Sequence, residues 1–204
     1  MIDIKEKQGI MLDIGCGGAK QDGFVGMDIR PLDGVDIVHN VLKFPWPLED
    51  NSVIQAVSSH LVEHIPPFGP DPKLIGLIDL LLEKKVINQK EVTEYLGDVR
   101  EKPAFVAFMD EVWRVLKPDG RFAISCPHGF SPGFLQDPTH CNEISEATWA
   151  YFDPYESRTN GLLWSIYKPR PWAIDFIHWS PEANIEVILK KRSPDNQGEG
   201  TVYE

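Results

Sequence analysis

The sequence has few cysteines, and no two of them stand in a metal-binding or redox spacing. Cys16, Cys126 and Cys141 are the three cysteines among 204 residues. An odd count without a Cys-x-x-Cys pair gives no sign of a disulfide framework or of a structural zinc site. These absences argue against the classes of small protein whose fold is stabilised by disulfide bonds or by a structural zinc ion.

Long apolar runs and an excess of positive charge are also lacking. No apolar run approaches the roughly 20 residues that cross a bilayer, and the opening MIDIKEKQ lacks the apolar core of a secretory signal. We therefore expect a cytoplasmic, soluble protein with no membrane partner. Lys and Arg number 20 against 31 Asp and Glu, for a net charge of −11. Such a chain repels phosphate backbones, which makes nucleic acid an unlikely partner.

Strand-like and helix-like segments alternate along the chain, and this alternation predicts an α/β fold. The predicted strands are 9–14, 24–29, 35–41, 53–59 and 121–127, followed by 172–179 and 184–191. The short link SPEA makes the last two strands an antiparallel hairpin. We expect one domain over 1–204 with a helical insert at about 66–104, where apolar residues recur at helical spacing and Asn88 with Glu91 forms a capping box. The next helix is predicted to start near Pro103 and to end at the turn KPDG.

A glycine turn between two apolar strands is the most informative feature. It follows Asp13, begins at Gly15, and leads to a second strand that ends at Asp28. A dinucleotide site would have a third glycine where Lys20 stands and an acid about 20 residues beyond the glycines, whereas Asp28 lies 13 residues after Gly15 (28 − 15). An acid before the turn would repel pyrophosphate and attract an ammonium group. The ligand should therefore carry a ribose, an amino group and little phosphate, which describes S-adenosylmethionine.

Several segments resemble motifs of the class I S-adenosylmethionine-dependent methyltransferases. They are LDIGCG, FVGMDI, VHNVLKFPWPLEDNSVIQAVSSHLVEHIP and FMDEVWRVLKPDGRFAIS, spread over about residues 10–128. The resemblance implies a mainly parallel seven-stranded Rossmann-like sheet with helices on both faces and an antiparallel C-terminal strand. It also implies S-adenosylmethionine as cofactor. One departure is that GAKQD alone separates the glycine turn from the second strand, which leaves room for about one helical turn.

By this resemblance, Asp13 would hold the methionyl amino group, Asp28 would accept hydrogen bonds from both ribose hydroxyls, and Ile29 would pack on the adenine face. The backbone of three residues would line the amino-acid portion: Gly15, Cys16 and Gly17.

Asn40 and Val41 stand where the family often has an acid and an apolar residue beside adenine. Asn40 departs from the acid, and its alternative interpretation is a residue of a strand-end turn. Ser59 and His60 would face the methionine part.

A methyl acceptor that is a hydroxyl benefits from a general base, and bases are expected at the carboxyl ends of the parallel strands. Glu63 and His64 follow the fourth predicted strand, and DPTHCN follows the fifth. His140 is the first candidate base and His64 the second; the alternative for His140 is a hydrogen-bonded turn. The histidines of these segments are His60, His64, His128 and His140. Their spacing matches no metal pattern, so we predict no metal site.

We expect methyl transfer to a small molecule or glycan, at oxygen. The aromatic residues of 149–172 would mostly pack in the core, and one or two of them would line an acceptor pocket, where their faces suit sugars or flat rings. The segment SSHLVEHIPPF lacks the Asn/Asp-Pro-Pro-Phe/Tyr signature of enzymes that methylate flipped bases. Two alternatives stay open: a protein that binds S-adenosylmethionine or S-adenosylhomocysteine without catalysis, and a nicotinamide-dependent oxidoreductase, which the position of Asp28 disfavours. The sequence does not reveal the oligomeric state.

Overall fold

The computed structural model describes residues 9–67, 72–88, 90–92, 102–156 and 162–193. Its centre is a seven-stranded sheet in the order β3-β2-β1-β4-β5-β7-β6. The strands are β1 (Ile10–Ile14), β2 (Val25–Asp28), β3 (Ile37–Val38), β4 (Val53–Ser59), β5 (Leu116–Pro127), β6 (Trp172–Trp179) and β7 (Asn184–Lys191). The first five are parallel, and β7 pairs antiparallel with both β5 and β6. The predicted α/β class and the C-terminal hairpin are confirmed.

Two strand predictions are corrected at their ends. The third strand was expected over 35–41, but β3 comprises Ile37 and Val38 alone, because the next residues turn: the amide of Leu42 donates to the Asn40 side chain. The fifth strand begins at Leu116, five residues before Arg121 (121 − 116). The helix does end directly before KPDG, at Val115. Leu116 already pairs with Val53 of β4 and the next paired residue is Arg121, so KPDG is an unpaired bulge within β5.

The helices are α1 (Pro72–Glu83), α2 (Ala104–Val115), α3 (Pro132–Leu135), α4 (Glu146–Ala150) and α5 (Trp164–Tyr167), with a single 3-10 turn at Val62–His64. Pro103 precedes α2 as its N-cap, as the proline prediction required. Asn88 and Glu91 exchange two hydrogen bonds at 2.8 and 3.0 Å, which confirms the capping box. Most of the short helix expected to follow this capping box, QKEVTEYL at 89–96, lies outside the described residues, which include 90–92 alone of that segment.

The apolar face of α2 packs on one face of the sheet. Phe108 is fully buried and contacts Trp46 and Phe122, at ring-centroid distances of 5.8 and 6.3 Å. Phe122 in turn lies 6.3 Å from Trp172 of β6. Alternate residues of each strand join this core because successive side chains point to opposite faces. The core thus joins the central parallel strands to the C-terminal hairpin and fixes where the strand ends meet.

The opposite face is covered over β1 and β2 by a loop. Residues 15–24, all of which are described, form turns and no helix, as the shortness of GAKQD predicts. Gly26 of β2 lies under this loop: a Cβ there would meet the Lys20 side chain at 2.7 Å and Cys16 Sγ at 2.8 Å. Close packing of the loop therefore takes the place of the helix that usually covers this part of the sheet. Among the described residues, no helix has the length and apolar character needed to cross a membrane.

Candidate donor and acceptor site

The glycine turn folds back onto the end of β2. The amides of Gly15 and Cys16 both donate to Met27 O, at 2.7 and 3.3 Å, and the amide of Gly17 donates to Asp28 Oδ2 at 2.9 Å. Gly15 has φ +73°, and a Cβ there would approach the Leu61 side chain to 3.0 Å, so a glycine is required. These three amides bind oxygen atoms of the protein itself, two on the Met27 carbonyl and one on the Asp28 carboxylate, so none of them is free to bind a phosphate of a ligand.

Asp28 ends β2 with a buried, ionised carboxylate. Oδ1 accepts hydrogen bonds from the Arg30 amide at 2.9 Å and the Arg30 guanidinium at 3.4 Å, while Oδ2 accepts the Gly17 amide. Burial acts to raise the pKa of Asp28, but these hydrogen bonds outweigh it and the pKa lies below its ordinary value. A carboxylate has about four lone-pair sites, so a ribose hydroxyl finds one in place. A second becomes available if the Arg30 side chain, which is 65% exposed, swings away.

Asp13, on the neighbouring strand, has the opposite electrostatic character. It is buried, and its Oδ2 accepts a hydrogen bond from the Gln21 amide at 2.9 Å. Burial raises the pKa of Asp13 above its ordinary value. A carboxylate whose charge is poorly solvated is stabilised by an incoming cation, which is the property that binding of an ammonium group requires.

The three residues predicted to contact adenine differ in their exposure and in their hydrogen bonds. Ile29 directly follows Asp28 and is 60% exposed, so its side chain offers an apolar surface to a flat ring. Val41 packs against the core. The Asn40 side chain accepts a hydrogen bond from the Leu42 amide at 2.9 Å. The turn interpretation of Asn40 therefore has the hydrogen bond that it requires, while a contact with adenine stays a prediction.

The end of β4 runs beside the glycine turn. Ser59 is exposed, and the His60 amide donates to Ser125 O of β5 at 2.9 Å. Leu61 then packs against Gly15, and the 3-10 turn Val62–His64 follows directly. The chain thus passes from the predicted donor pocket to the predicted bases within a few residues.

The two candidate bases lie in contact. The rings of His64 and His140 have centroids 4.7 Å apart, although 76 residues separate them (140 − 64). Glu63 lies between their segments and is fully buried, with Oε1 3.9 Å from His140 Nε2. The sequence places Glu63 beside His64 at the end of a strand, but its burial and its proximity to His140 are visible in the tertiary structure alone.

Two other features lie apart from this site. His128 pairs with Glu146, its Nε2 3.5 Å from Oε2, and does not belong to the His64–His140 group. A cavity of about 500 Å³ lies beside α2 and α5, lined by residues that include Lys102, Asp110 and Arg170. None of its lining residues belongs to the glycine turn or to the ends of β1, β2 and β4.

Comparison with known proteins supports the fold through structure and not through sequence. No family model and no curated protein sequence matches the chain. A chain from the Haloferax volcanii complex of the Trm112 methyltransferase activator with a methyltransferase matches at a TM-score of 0.51 and 10% identity, covering 92% of this chain and 84% of that one. An S-adenosylmethionine-dependent methyltransferase from Archaeoglobus fulgidus matches at 0.50 and 17% identity, covering 89% and 85%. The chain therefore has the Rossmann-like fold of the S-adenosylmethionine-dependent methyltransferases, which confirms the predicted sheet.

Proposed function

We propose that this protein is an S-adenosylmethionine-dependent methyltransferase. The observation that carries the proposal is the closed glycine turn between two buried carboxylates. The amides of Gly15, Cys16 and Gly17 bind Met27 and Asp28, so the turn offers no cradle for a pyrophosphate, whereas a dinucleotide site depends on such amides. Asp13 and Asp28 suit an ammonium group and a ribose instead.

Each donor-binding residue then has a role that its surroundings support. Asp13 would hold the amino group, Asp28 would accept from the ribose hydroxyls, and exposed Ile29 would cover adenine. Ser59 and His60, beside the glycine turn, would border the methionine part. When bound, S-adenosylmethionine supplies a methyl group already activated by its sulfonium charge. The protein's contribution is to orient donor and acceptor and to exclude water.

The acceptor would carry a hydroxyl, as in a small molecule or glycan. His140 and His64 lie together at the carboxyl ends of β4 and β5, where this sheet builds its sites. A neutral imidazole there can take a proton from a hydroxyl group. An amine or thiolate acceptor depends less on such a general base. Methylation at oxygen is the reaction that this pair of histidines supports best.

A thermal-shift panel with S-adenosylmethionine, S-adenosylhomocysteine and NAD tests the donor. A ligand present at 100 times its dissociation constant should stabilise the fold by about 2.7 kcal/mol. We expect both adenosyl compounds to raise the melting temperature and NAD to leave it unchanged. Stabilisation by NAD alone would overturn the donor assignment.

Catalysis has its own test, transfer of a labelled methyl group to fractions of hydroxyl-bearing metabolites and glycans. The wild-type protein should label at least one fraction, and His140→Ala should label it more slowly. If the protein binds the adenosyl compounds but labels no fraction, the non-catalytic binding protein becomes the better interpretation.

A further inference from the structure

We propose that Glu63, His64 and His140 form a binding site for one divalent first-row transition-metal ion. The 3-10 turn after β4 supplies two of these side chains, and the loop between α3 and α4 supplies the third. One ligand atom from each lies within 4.8 Å of the other two. Two ligands of one ion at about 2.1 Å lie about 3 to 4 Å apart, and the 3.9 Å between Glu63 Oε1 and His140 Nε2 falls in this range.

Glu63 is the first argument for an ion. Its side chain is fully buried, and neither carboxylate oxygen accepts a hydrogen bond from any described residue. His60 Nδ1 lies 3.3 Å from Oε1 without hydrogen-bond geometry. A buried carboxylate without donors is costly, and a bound cation would remove that cost. The Glu63 backbone is firmly held, because its carbonyl accepts the amides of Cys141 and Asn142 at 2.9 and 3.0 Å.

The orientation of His140 is the second argument. Its Nδ1 lies 2.8 Å from Phe134 O. A carbonyl oxygen only accepts, so Nδ1 must carry the proton and Nε2, the atom that faces Glu63, presents a lone pair in the neutral ring. Metal-binding histidines are commonly fixed in this way, with the far nitrogen donating to a backbone carbonyl.

The orientation of His64 is fixed in a similar way, by a chain of two side-chain hydrogen bonds. Its Nδ1 lies 3.1 Å from Thr139 Oγ1, which in turn donates to Asp137 Oδ1 at 2.7 Å. Because the carboxylate takes the hydroxyl proton, Thr139 Oγ1 accepts from His64 Nδ1–H, and the lone pair of His64 is on Nε2. A buried carboxylate to which no described residue donates a hydrogen bond thus has a ligand atom of each of two imidazoles within 4.8 Å, and the hydrogen bonds assign the tautomer of both rings.

The donor set selects the kind of ion. Two imidazole nitrogens and one carboxylate suit Zn²⁺, Fe²⁺ or Co²⁺, whereas Mg²⁺ and Ca²⁺ prefer oxygen ligands. Three protein ligands leave coordination positions open. With both Nε2 lone pairs on the ion, the histidines would bind the ion in place of acting as bases. An ion lowers the pKa of a hydroxyl that binds to it, so it would recruit the hydroxyl acceptor and let its proton pass to water. This last step rests on the proposed function, whereas the binding of the ion does not.

Metal binding is measured first, on the full chain after dialysis against a chelator. Titration with Zn²⁺ by calorimetry, and with Co²⁺ by its visible absorption, should show one ion per chain, and Mg²⁺ should bind far more weakly. Glu63→Gln and His64→Ala should each weaken Zn²⁺ binding by at least about 100-fold, more than the 10- to 100-fold typical of an outer partner. Thr139→Val, which removes the group that orients His64, should fall within about 10- to 100-fold.

Glu146→Gln is the matched control, because it alters another carboxylate that pairs with a histidine, His128. It should bind Zn²⁺ like the wild type. If Glu63→Gln does not fold, His64→Ala decides, since loss of its imidazole removes a ligand and not the buried charge.

The proposal is overturned if the wild-type chain binds neither Zn²⁺ nor Co²⁺, or if Glu63→Gln and His64→Ala bind them as Glu146→Gln does. If the wild-type chain binds neither ion, His60 and His140 remain as the polar groups nearest to the Glu63 carboxylate. S-adenosylmethionine binding is measured on the same metal-free samples. If the wild-type chain binds Zn²⁺ but not S-adenosylmethionine, the proposed function is refuted and the metal site stands. If it binds S-adenosylmethionine but no metal ion, the metal site alone is refuted.

Discussion

The change Asp28→Asn tests the donor site most directly, because Asp28 has both a structural and a proposed ligand-binding role. Its carboxylate accepts from the Gly17 amide through one oxygen and from Arg30 through the other. An alanine would remove both acceptors and loosen the turn. Asparagine keeps the shape and one oxygen, so it isolates the loss of one acceptor and of the charge.

The expected magnitudes follow from hydrogen-bond energies. Losing one hydrogen bond to a charged group costs about 1.5 to 3 kcal/mol. We expect a loss of that order in the free energy of unfolding, since one backbone amide faces an NH₂ group. The ribose loses an acceptor as well, and the same energy weakens the binding of S-adenosylhomocysteine by about 10- to 150-fold.

Urea unfolding and calorimetric titration with S-adenosylhomocysteine measure the two effects separately. Asp36→Ala is the matched control: the Asp36 carboxylate accepts the Gly26 amide of β2 at 2.8 Å, so its removal destabilises the same strand without touching the proposed ribose contact. The control should unfold more readily and yet bind ligand normally. The reasoning about Asp28 fails if both variants bind S-adenosylhomocysteine equally well.

The pH dependence of Asp28 adds a check. Because the pKa of Asp28 is lowered in the fold, its stabilising contribution is present above the ordinary value near 4 and is lost as the pH falls through the folded pKa. The difference in unfolding free energy between wild type and Asp28→Asn should therefore shrink below about pH 4. A difference that stays constant down to the acid limit of folding would contradict the assignment of the lowered pKa to Asp28.

Three further outcomes are expected from unfolding measurements. Because the pKa of Asp13 is raised, its carboxyl group keeps its proton to higher pH in the folded state than in the unfolded state. Asp13→Asn should therefore gain stability relative to wild type as the pH rises from about 4 to 7. If the difference in unfolding free energy between the two proteins does not change over this range, the raised pKa is contradicted. Burial lowers the pKa of Lys191 to about 8, so between about pH 8 and 10.4 the unfolded chain holds a proton that the folded protein has released. The unfolding free energy of the wild type should therefore rise with pH in this range relative to that of Lys191→Met. Equal pH profiles for the two proteins would refute this. Phe108→Ala should cost about 3 to 5 kcal/mol of unfolding free energy, as a fully buried aromatic residue does, whereas a loss below 1 kcal/mol would show that the core is not centred on α2.

Strands whose ends carry clear turn signals could be predicted to the residue. The bounds of β4, β6 and β7 agree with the sequence pattern, since β4 follows the polar segment EDNS and SPEA separates β6 from β7. The bounds of β3 and β5 depend instead on which residues pair with the neighbouring strand. The pattern of 35–41 is typical of a strand, yet β3 is an edge strand with two paired residues. Leu116 joins β5 because it lies opposite Val53, in spite of the proline and glycine that follow it.

The proposed donor side of the site is formed by residues close together in the chain and was therefore open to sequence reasoning. The interval from Gly15 to Asp28 and the acid at Asp13 define two adjacent strands and the turn that joins them, and the structure places these residues together. Sequence reasoning could not predict that the turn amides of Gly15 and Cys16 would bind Met27 instead of pointing outward, because that depends on how the loop packs on Gly26.

The proposed acceptor side depends on residues that lie far apart in the sequence. From the sequence, His64 and His140 are two separate candidate bases, and no spacing between them suggests a shared ion. The fold brings the end of β4 and the loop after β5 to one edge of the sheet, and the backbone of Glu63 holds that loop in place. By itself, the sequence determined the α/β sheet and the positions of the two carboxylates of the proposed donor pocket, because strand pattern and turn chemistry act over short distances. The burial of Glu63 between two oriented histidines was decided by the tertiary structure alone, because it arises from packing between segments about 76 residues apart (140 − 64).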